Sequence, residues 1–439
     1  MTSSFAIETL GCKVNQYESS FFIEQLTQAG LRQAPFNQRA DLYIVHSCAV
    51  TAKAAYQTRQ LLRRARRLNP AAIVLAIGCD AQLEADRLAN EQLATHILGS
   101  TEKLALGHWL DLPGSFDKPC KVVGDPRLAP AFVHLPTAKM LSGRARAYLK
   151  VQDGCDAFCS YCVVPYTRGK SRSASPEEVR AEVDRLLAAG FQEIVLTGIH
   201  LGQWGKDLSP AGDLPALLQW LEKGRLPRRL RLSSIEPMEW SARLIDFVSS
   251  RPWICPHFHV PLQSGSKEVL RQMNRPYAPE HYAELLWELR GRFPTASIGA
   301  DVMVGFPGES EHHFVQTYRL VESLPLTYLH VFPFSPRPGV AAAKLPNRIT
   351  GDALKQRTNA LRQLGAQKKL AFRHDFLGKD LQVLVESEIE AGFWRGTSDN
   401  YIQAVFRTDV PLVSGSVVMV RAHRVDGDGT VHGQLTPKL

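Results

Sequence analysis

Residues 145–162 read ARAYLKVQDGCDAFCSYC, and the way this stretch ends decides how the chain is organised. Its first nine residues read as a β-strand. Directly after the strand, Cys155, Cys159 and Cys162 stand in a C-x3-C-x2-C array. Three thiolates fill three corners of a site that needs a fourth ligand to close it, and an iron left without a protein ligand can accept an outside molecule. Zinc is the competing occupant. A structural zinc site wants four protein ligands, and no nearby Cys or His completes this one.

Outward from the array, residues 142 to 336 alternate strand and helix. After 145–153 the candidate strands are QEIVLTG (192–198), RLRLSSIE (229–236), HFHVPLQS (257–264), ASIGADVMVG (296–305) and YLHVFPFS (328–335). Stretches such as PEEVRAEVDRLLAAG and PEHYAELLWELRGRF between them read as helices. Six such units suggest an incomplete (β/α) barrel, with a second open sheet as the alternative that spacing leaves open. In a barrel the active residues lie at the C-terminal ends of the strands.

The first hundred residues repeat the same alternation, with apolar runs FAIETL (5–10), DLYIVH (41–46) and AAIVLAI (71–77) separated by helical sequence. That pattern implies a parallel sheet covered on both faces. Cys12, Cys48 and Cys79 each follow one of these runs, at the sheet edge where ligands bind in open α/β folds. Gly11 and Gly78 let the backbone approach an inorganic core closely. The alternative is that the three are small buried hydrophobes, the usual fate of a cytosolic cysteine. Three at equivalent strand ends favour a second three-cysteine cluster. Residues 116–141 are rich in proline and poor in periodicity, which fits a linker. Past a long helical stretch, 376–439 holds short runs broken by Gly, Asp and Asn, the pattern of a small all-β barrel. The expected domains are therefore 1–115, 142–375 and 376–439.

The C-x3-C-aromatic-x-C order, with Tyr161 before the last cysteine, resembles the signature of radical S-adenosylmethionine enzymes. The resemblance implies a 4Fe-4S cluster on Cys155, Cys159 and Cys162 whose open iron is chelated by the cofactor. It also implies cofactor contacts at successive strand ends: Thr197 and Gly198, Ser233 and Glu236, Gln263, and Val304, Gly305 and Phe306. With the N-terminal cysteines and the tail barrel included, the whole chain resembles the methylthiotransferases. Those combine an N-terminal α/β domain carrying an auxiliary 4Fe-4S cluster, here Cys12, Cys48 and Cys79, with a radical barrel and a TRAM domain. The segments TLGCKVNQYES (9–19) and GTSDNYIQAVF (396–406) resemble the branch acting on N6-threonylcarbamoyladenosine 37 of tRNA. The same chemistry on isopentenyladenosine or a ribosomal protein side chain is the alternative, and a non-catalytic iron-sulfur RNA-binding protein is another. Asp80 departs from the family's usual neutral residue and is expected to shift the potential of the auxiliary cluster.

Composition agrees with a folded enzyme: 439 residues, 44% hydrophobic and 22% charged, too long for one core. The first residues lack a basic segment followed by an apolar run, and no stretch reaches the ~20 apolar residues of a membrane span. A cytoplasmic monomer is expected. In that compartment eight cysteines point to metal chemistry before disulfides. A net charge of +9 fits a polyanionic partner without requiring one. The expected partners are a tRNA anticodon stem-loop, a reducing electron donor and a sulfur donor, the last two unidentified by sequence. RRARR (63–67) and GRLPRRLRL (224–232) are basic segments that most often form solvated faces. Trp394, Arg395 and Tyr401 of the tail barrel are the better RNA candidates, through stacking on unpaired bases. Phe393 is at least as well explained by packing in the small core. Cys120 and Cys255 belong to no array and are assigned to packing. His200, His257 and His259 read as barrel-lining residues, because no second His or carboxylate stands at ligand spacing.

Overall fold

The computed structural model describes residues 4–110, 114–129, 131–136 and 145–436. Two compact units divide the chain, one of residues 1–141, 152–174 and 335–344, the other of 142–151, 175–334 and 345–439.

In the first unit, β1 (Ser4–Thr9), β2 (Arg32–Gln33), β3 (Leu42–Ser47), β4 (Ile73–Gly78), β5 (His96–Leu98) and β6 (Cys120–Val122) form one parallel sheet in the order β2-β1-β3-β4-β5-β6. The runs are apolar throughout because both faces are buried, and alternate residues serve different cores. Ala6, Tyr43, Val45, Val74, Ala76 and Ile97 meet Leu62 and Ala65 of helix Ala52–Leu68 on one face. Phe5, Leu42, Ile44, Leu75, Ile77 and Leu98 meet Phe22 and Leu26 of helix Lys13–Gln28 on the other.

The segment expected as a linker, 116–141, supplies β6, which pairs His96 with Cys120 and Leu98 with Val122. A three-residue edge strand is too short to show a period, so the sheet runs past its expected end at 115. Within that segment residues 130 and 137–141 lie outside the described residues, as does the expected start of the barrel, 142–144. The loop carrying the C-x3-C-x2-C array also packs with this unit, where the sequence grouped it with the barrel.

The second unit holds the remaining alternation. Here β7 (Ala147–Asp153), whose last two residues belong to the first unit and pair there with the short antiparallel β8 (Arg172–Ser173), lies beside β9 (Glu193–Gly198) and then β10 (Arg229–Leu232). A second ladder runs β11 (His257–His259), β12 (Ser297–Val304), β13 (Tyr328–Pro333), all parallel. The ladders join where Leu230 N donates to Trp253 O at 2.7 Å, Cys255 N to Leu230 O at 2.8 Å and Ile235 N to His259 O at 3.1 Å. Six strands in this order make the incomplete barrel; among the described residues no ladder joins β13 back to β7.

Five strands, β14 (Asp380–Glu390), β15 (Phe393–Ser398), β16 (Gln403–Arg407), β17 (Val417–Val425) and β18 (Val431–Leu435), close a small barrel in the order β14-β15-β16-β18-β17. Every second residue, among them Leu381, Val383, Val385, Ala404, Phe406, Val420 and Ala422, fills its core. Its β15–β16 turn docks on the larger barrel through buried arginines. Arg231 donates to Asp399 O at 2.8 Å and Ser398 O at 3.1 Å, and Arg229 to Thr397 O at 3.3 Å. Both also pair with buried Glu193, at 3.0 Å and 2.8 Å. These arginines, from the basic segment 224–232, are therefore interior. No helix among the described residues is long and apolar enough to cross a membrane.

Candidate active site

The ends of β1, β3 and β4, neighbours in the sheet, deliver the first three cysteines. Cys12 immediately precedes helix Lys13–Gln28, Cys48 directly follows β3, and Cys79 opens helix Cys79–Leu83. Gly11 has φ +96°, and a Cβ built there meets Cys48 Cβ at 2.7 Å and Sγ at 2.8 Å, so only glycine brings the Cys12 loop this close.

Two side chains lace the three strand ends together. Asn15 Nδ2 donates to Leu10 O at 2.8 Å and Ser47 O at 3.0 Å, tying the loop after β1 to β3. Ser47 Oγ donates to Ile77 O at 2.6 Å and accepts from the amides of Asp80 and Ala81 at 3.1 Å, tying β3 to the turn that holds Cys79.

Burial, reinforced by the neighbouring Cys79 sulfur, pushes the Cys48 thiol up to about 12. A cationic core reverses that cost, since a coordinating thiol is deprotonated outright. Among the described residues three ligand atoms come within 4.8 Å of one another only at His259, Asp301 and His330. Each trio offers three free thiols, the donor set that holds iron-sulfur cores.

The C-x3-C-x2-C loop is closed by Cys155 N donating to Gly169 O at 3.0 Å. Backbone amides of Ala157 and Val164 reach the sulfurs of Cys155 and Cys162 at 3.5 Å. Amide donors on sulfur favour the thiolate and tune a cluster's potential. Tyr161 is half-buried in the same loop. Val163, next to Cys162, packs in one apolar cluster with Ala49 and Cys79.

Arg168, at the end of helix Val164–Arg168, is buried and donates to Asn15 Oδ1 at 2.6 Å, Asp153 Oδ1 at 2.8 Å and Glu18 Oε1 at 3.2 Å. Glu18 also receives Lys103 Nζ at 2.7 Å. The loop bearing one trio is thereby bolted to the helix that begins after Cys12. Asp80 is buried and paired with Arg337 at 3.0 Å. Burial raises its pKa to about 6 against the pull of that arginine. Its charge is matched locally by that arginine.

In the second unit the residues expected at the cofactor gather at four neighbouring strand ends. Thr197 and Gly198 end β9, Ser233 follows β10, Gln263 bridges to Val302, and Val304 ends β12 with Gly305 next. Ser233 is buried and its Oγ has no hydrogen-bond partner among the described residues, an acceptor and donor left over for a ligand. Gln263 takes φ +64°, a strained conformation of the kind found at ligand sites. Glu236 is engaged by Arg275. Val304 and Phe306 are wholly buried, backbone included.

Of the residues expected to meet RNA, Arg395 is exposed, whereas Trp394 packs against the small barrel's core and Phe393 is exposed beneath the Arg407 guanidinium. Trp394, expected on the RNA, turns to the core, and Phe393, for which both readings stood open, turns outward, because successive strand residues face opposite ways. One face of the Tyr401 ring lies 4.2 Å from the His257 ring, and Arg231 stands 5.2 Å away. In RRARR, Arg63 pairs with Glu91 at 2.7 Å and Arg66 donates to Gln92 O at 3.0 Å. Cys255 is buried and Cys120 half-buried, as packing cysteines are. Asn15, Ser47 and Arg168 escaped the sequence reading; only their place within one to six residues of a cysteine hinted at them.

Comparison with known proteins follows this division. Residues 4–99 match a family described as uncharacterized protein family UPF0004, and residues 149–321 match the radical SAM superfamily. The threonylcarbamoyladenosine tRNA methylthiotransferase of Aquifex aeolicus is 37% identical over 90% of this chain and 95% of its own. That of Bacillus subtilis is 32% identical over 95% and 93%. A tRNA-2-methylthio-N6-dimethylallyladenosine synthase of Pelotomaculum thermopropionicum is 33% identical over 95% and 94%. Among solved structures, the radical S-adenosylmethionine methyltransferase TsrM of Kitasatospora setae superposes with TM-score 0.56 at 15% identity, covering 78% of this chain and 75% of that one, a likeness of fold. Similarity that spans nearly the full length of such relatives, joined to an open-cornered cysteine array ahead of a six-stranded barrel, makes this chain a member of the radical S-adenosylmethionine tRNA methylthiotransferase family.

Proposed function

We propose that the enzyme adds a methylthio group to C2 of N6-threonylcarbamoyladenosine at position 37 of tRNA, using one iron-sulfur cluster on Cys155, Cys159 and Cys162 and a second on Cys12, Cys48 and Cys79. The supporting observation is that both cysteine trios lie in one compact unit, with Val163 packed against Cys79 and Arg168 reaching Asn15. An aromatic C2–H is neither acidic nor electrophilic enough for general-base or nucleophilic chemistry. When bound, the clusters and S-adenosylmethionine supply the carbon radical and the methylated sulfur that this bond requires.

The chain's own residues do the positioning. Gly11, Asn15 and Ser47 hold three thiols at one sheet edge. Arg168 with Glu18, Asp153 and Lys103 forms a buried, charge-balanced brace beneath both loops, which keeps them in register as electrons pass. Thr197, Ser233 and Gln263 offer polar groups at the barrel mouth for S-adenosylmethionine. Phe393, Arg395 and Arg407 present an exposed ring between cations, a surface suited to an unpaired base and its phosphate.

Mass spectrometry of tRNA nucleosides from a strain lacking the gene tests the substrate: methylthio-threonylcarbamoyladenosine should vanish while its unmodified precursor accumulates. Its persistence, or loss of methylthio-isopentenyladenosine instead, would remove the assignment. Replacing Cys12, Cys48 and Cys79 together by Ala should leave about half of the ~8 irons of two clusters and spare cleavage of S-adenosylmethionine to 5'-deoxyadenosine.

A further inference from the structure

Three side chains on neighbouring strands of the second unit converge although nothing in their sequence spacing shows it. His259 ends β11, Asp301 lies in β12 and His330 in β13. The register sets Asp301 opposite His330, and His259 opposite Gly299, two residues before Asp301. Residues i and i+2 of a strand share a face, so all three point the same way. His259 Nε2 and His330 Nδ1 each lie 3.2 Å from Asp301 Oδ1, and the three atoms fall within 4.8 Å of one another. Bonds of about 2.1 Å to one ion, at angles near 100°, hold ligand atoms ~3.2 Å apart.

A second observation concerns His259 itself. Its side chain is nine-tenths buried, and among the described residues its Nε2 has no hydrogen-bond partner, the Asp301 oxygen lying off the line such a bond needs. Its other nitrogen, Nδ1, is 2.7 Å from Ser234 Oγ. With Nδ1–H donated to that hydroxyl, Nε2 presents a fixed lone pair, the arrangement that orients histidine ligands in metal sites.

We propose that His259, Asp301 and His330 bind one divalent transition-metal ion of the Zn2+ or Fe2+ class. Two imidazoles and one carboxylate form the three-ligand set that leaves coordination positions open. The open side is that of His330, whose side chain is half exposed and lines a cavity of about 720 Å³. Lys369 and Arg373 border the same cavity, and its one carboxylate, Glu386, is paired with Arg146. The surplus of positive charge selects an anionic oxygen donor for the vacant position. The carboxylate of a threonylcarbamoyl group is such a donor and an isopentenyl group is not. This last clause rests on the substrate reading above.

The test uses the full-length, cluster-loaded enzyme, titrated anaerobically with Zn2+, desalted and analysed for zinc and iron together. One zinc per chain is expected beyond an unchanged iron content. His330→Asn and Asp301→Asn should each abolish it with iron and melting temperature unaltered, while His313→Asn, on a distant exposed helix, retains it. X-ray absorption at the zinc edge should show nitrogen and oxygen neighbours alone. No retained zinc, equal zinc in His330→Asn, or a sulfur shell around the ion would overturn the site. Adding N6-threonylcarbamoyladenosine as the free nucleoside should tighten zinc binding at least tenfold, and isopentenyladenosine should not. Equal affinities would overturn the carboxylate clause alone, since nucleoside analysis of tRNA judges the substrate independently.

Discussion

Substituting Gly11 by Ala tests the architecture of the N-terminal cysteine site at its tightest point. The new methyl would stand 2.7 Å from Cys48 Cβ, where carbon atoms ordinarily approach to about 3.5–4.0 Å. Cys48 or the Cys12 loop must therefore retreat by roughly 1 Å. The backbone angle of +96° adds about 1–2 kcal/mol of strain for a residue with a Cβ, and overpacking about 1–3 kcal/mol more. A total near 2–5 kcal/mol is a large part of a typical stability of about 5–15 kcal/mol, yet leaves most of the chain folded at 25 °C. The cluster suffers more, because a ligand displaced by an ångström no longer reaches its iron. Anaerobic reconstitution followed by iron and sulfide analysis should find about half the wild-type content, with cleavage of S-adenosylmethionine retained. Urea unfolding should give a midpoint lowered with unchanged slope. Full iron with unaltered stability would refute the reasoning, since it would mean that the close approach of Gly11 to Cys48 constrains nothing.

Three more outcomes are expected. Burial alone would raise the pKa of Glu193, but Arg231, Arg229 and Arg146 hold it down to about 2 from an ordinary 4.5. A depressed carboxylate stabilises the fold above its unfolded pKa, so stability on the order of 3 kcal/mol should disappear as pH falls from about 4.5 to 2; acid unfolding of Glu193→Gln should lack that dependence. Ser233→Ala removes a buried hydroxyl with no hydrogen-bond partner among the described residues, so its melting temperature should hold while the KM for S-adenosylmethionine rises about 5–10-fold; an unchanged KM would take Ser233 out of the cofactor site. Phe393→Ala should weaken tRNA binding by about 1–3 kcal/mol at constant stability, whereas Trp394→Ala should cost up to about 3–5 kcal/mol of folding with little specific effect on affinity; the reverse pattern would put Trp394 on the RNA.

Much of the site was already legible in the order of residues. An apolar run that ends in a cysteine states both a strand and what stands at its carboxyl edge, so six candidate ligands and most of the barrel's strand ends could be named from local pattern. The sheet's two-sided burial is likewise written in uninterrupted runs such as IVLAI. Side chains acting across the chain were not legible. Arg168 braces Asn15 and Glu18, Glu193 gathers Arg229 and Arg231, and His259 meets Asp301 and His330, because parallel ladders join residues whose separation in sequence is set by intervening helices and carries no period. Which of Phe393 and Trp394 faces outward was hidden for a related reason: a strand's register turns one neighbour inward and the next outward, and the closing partners of the small barrel choose which. Local chemistry thus determined which atoms can bind metal, while the pairing of distant strands decided which of them stand together and what holds them there.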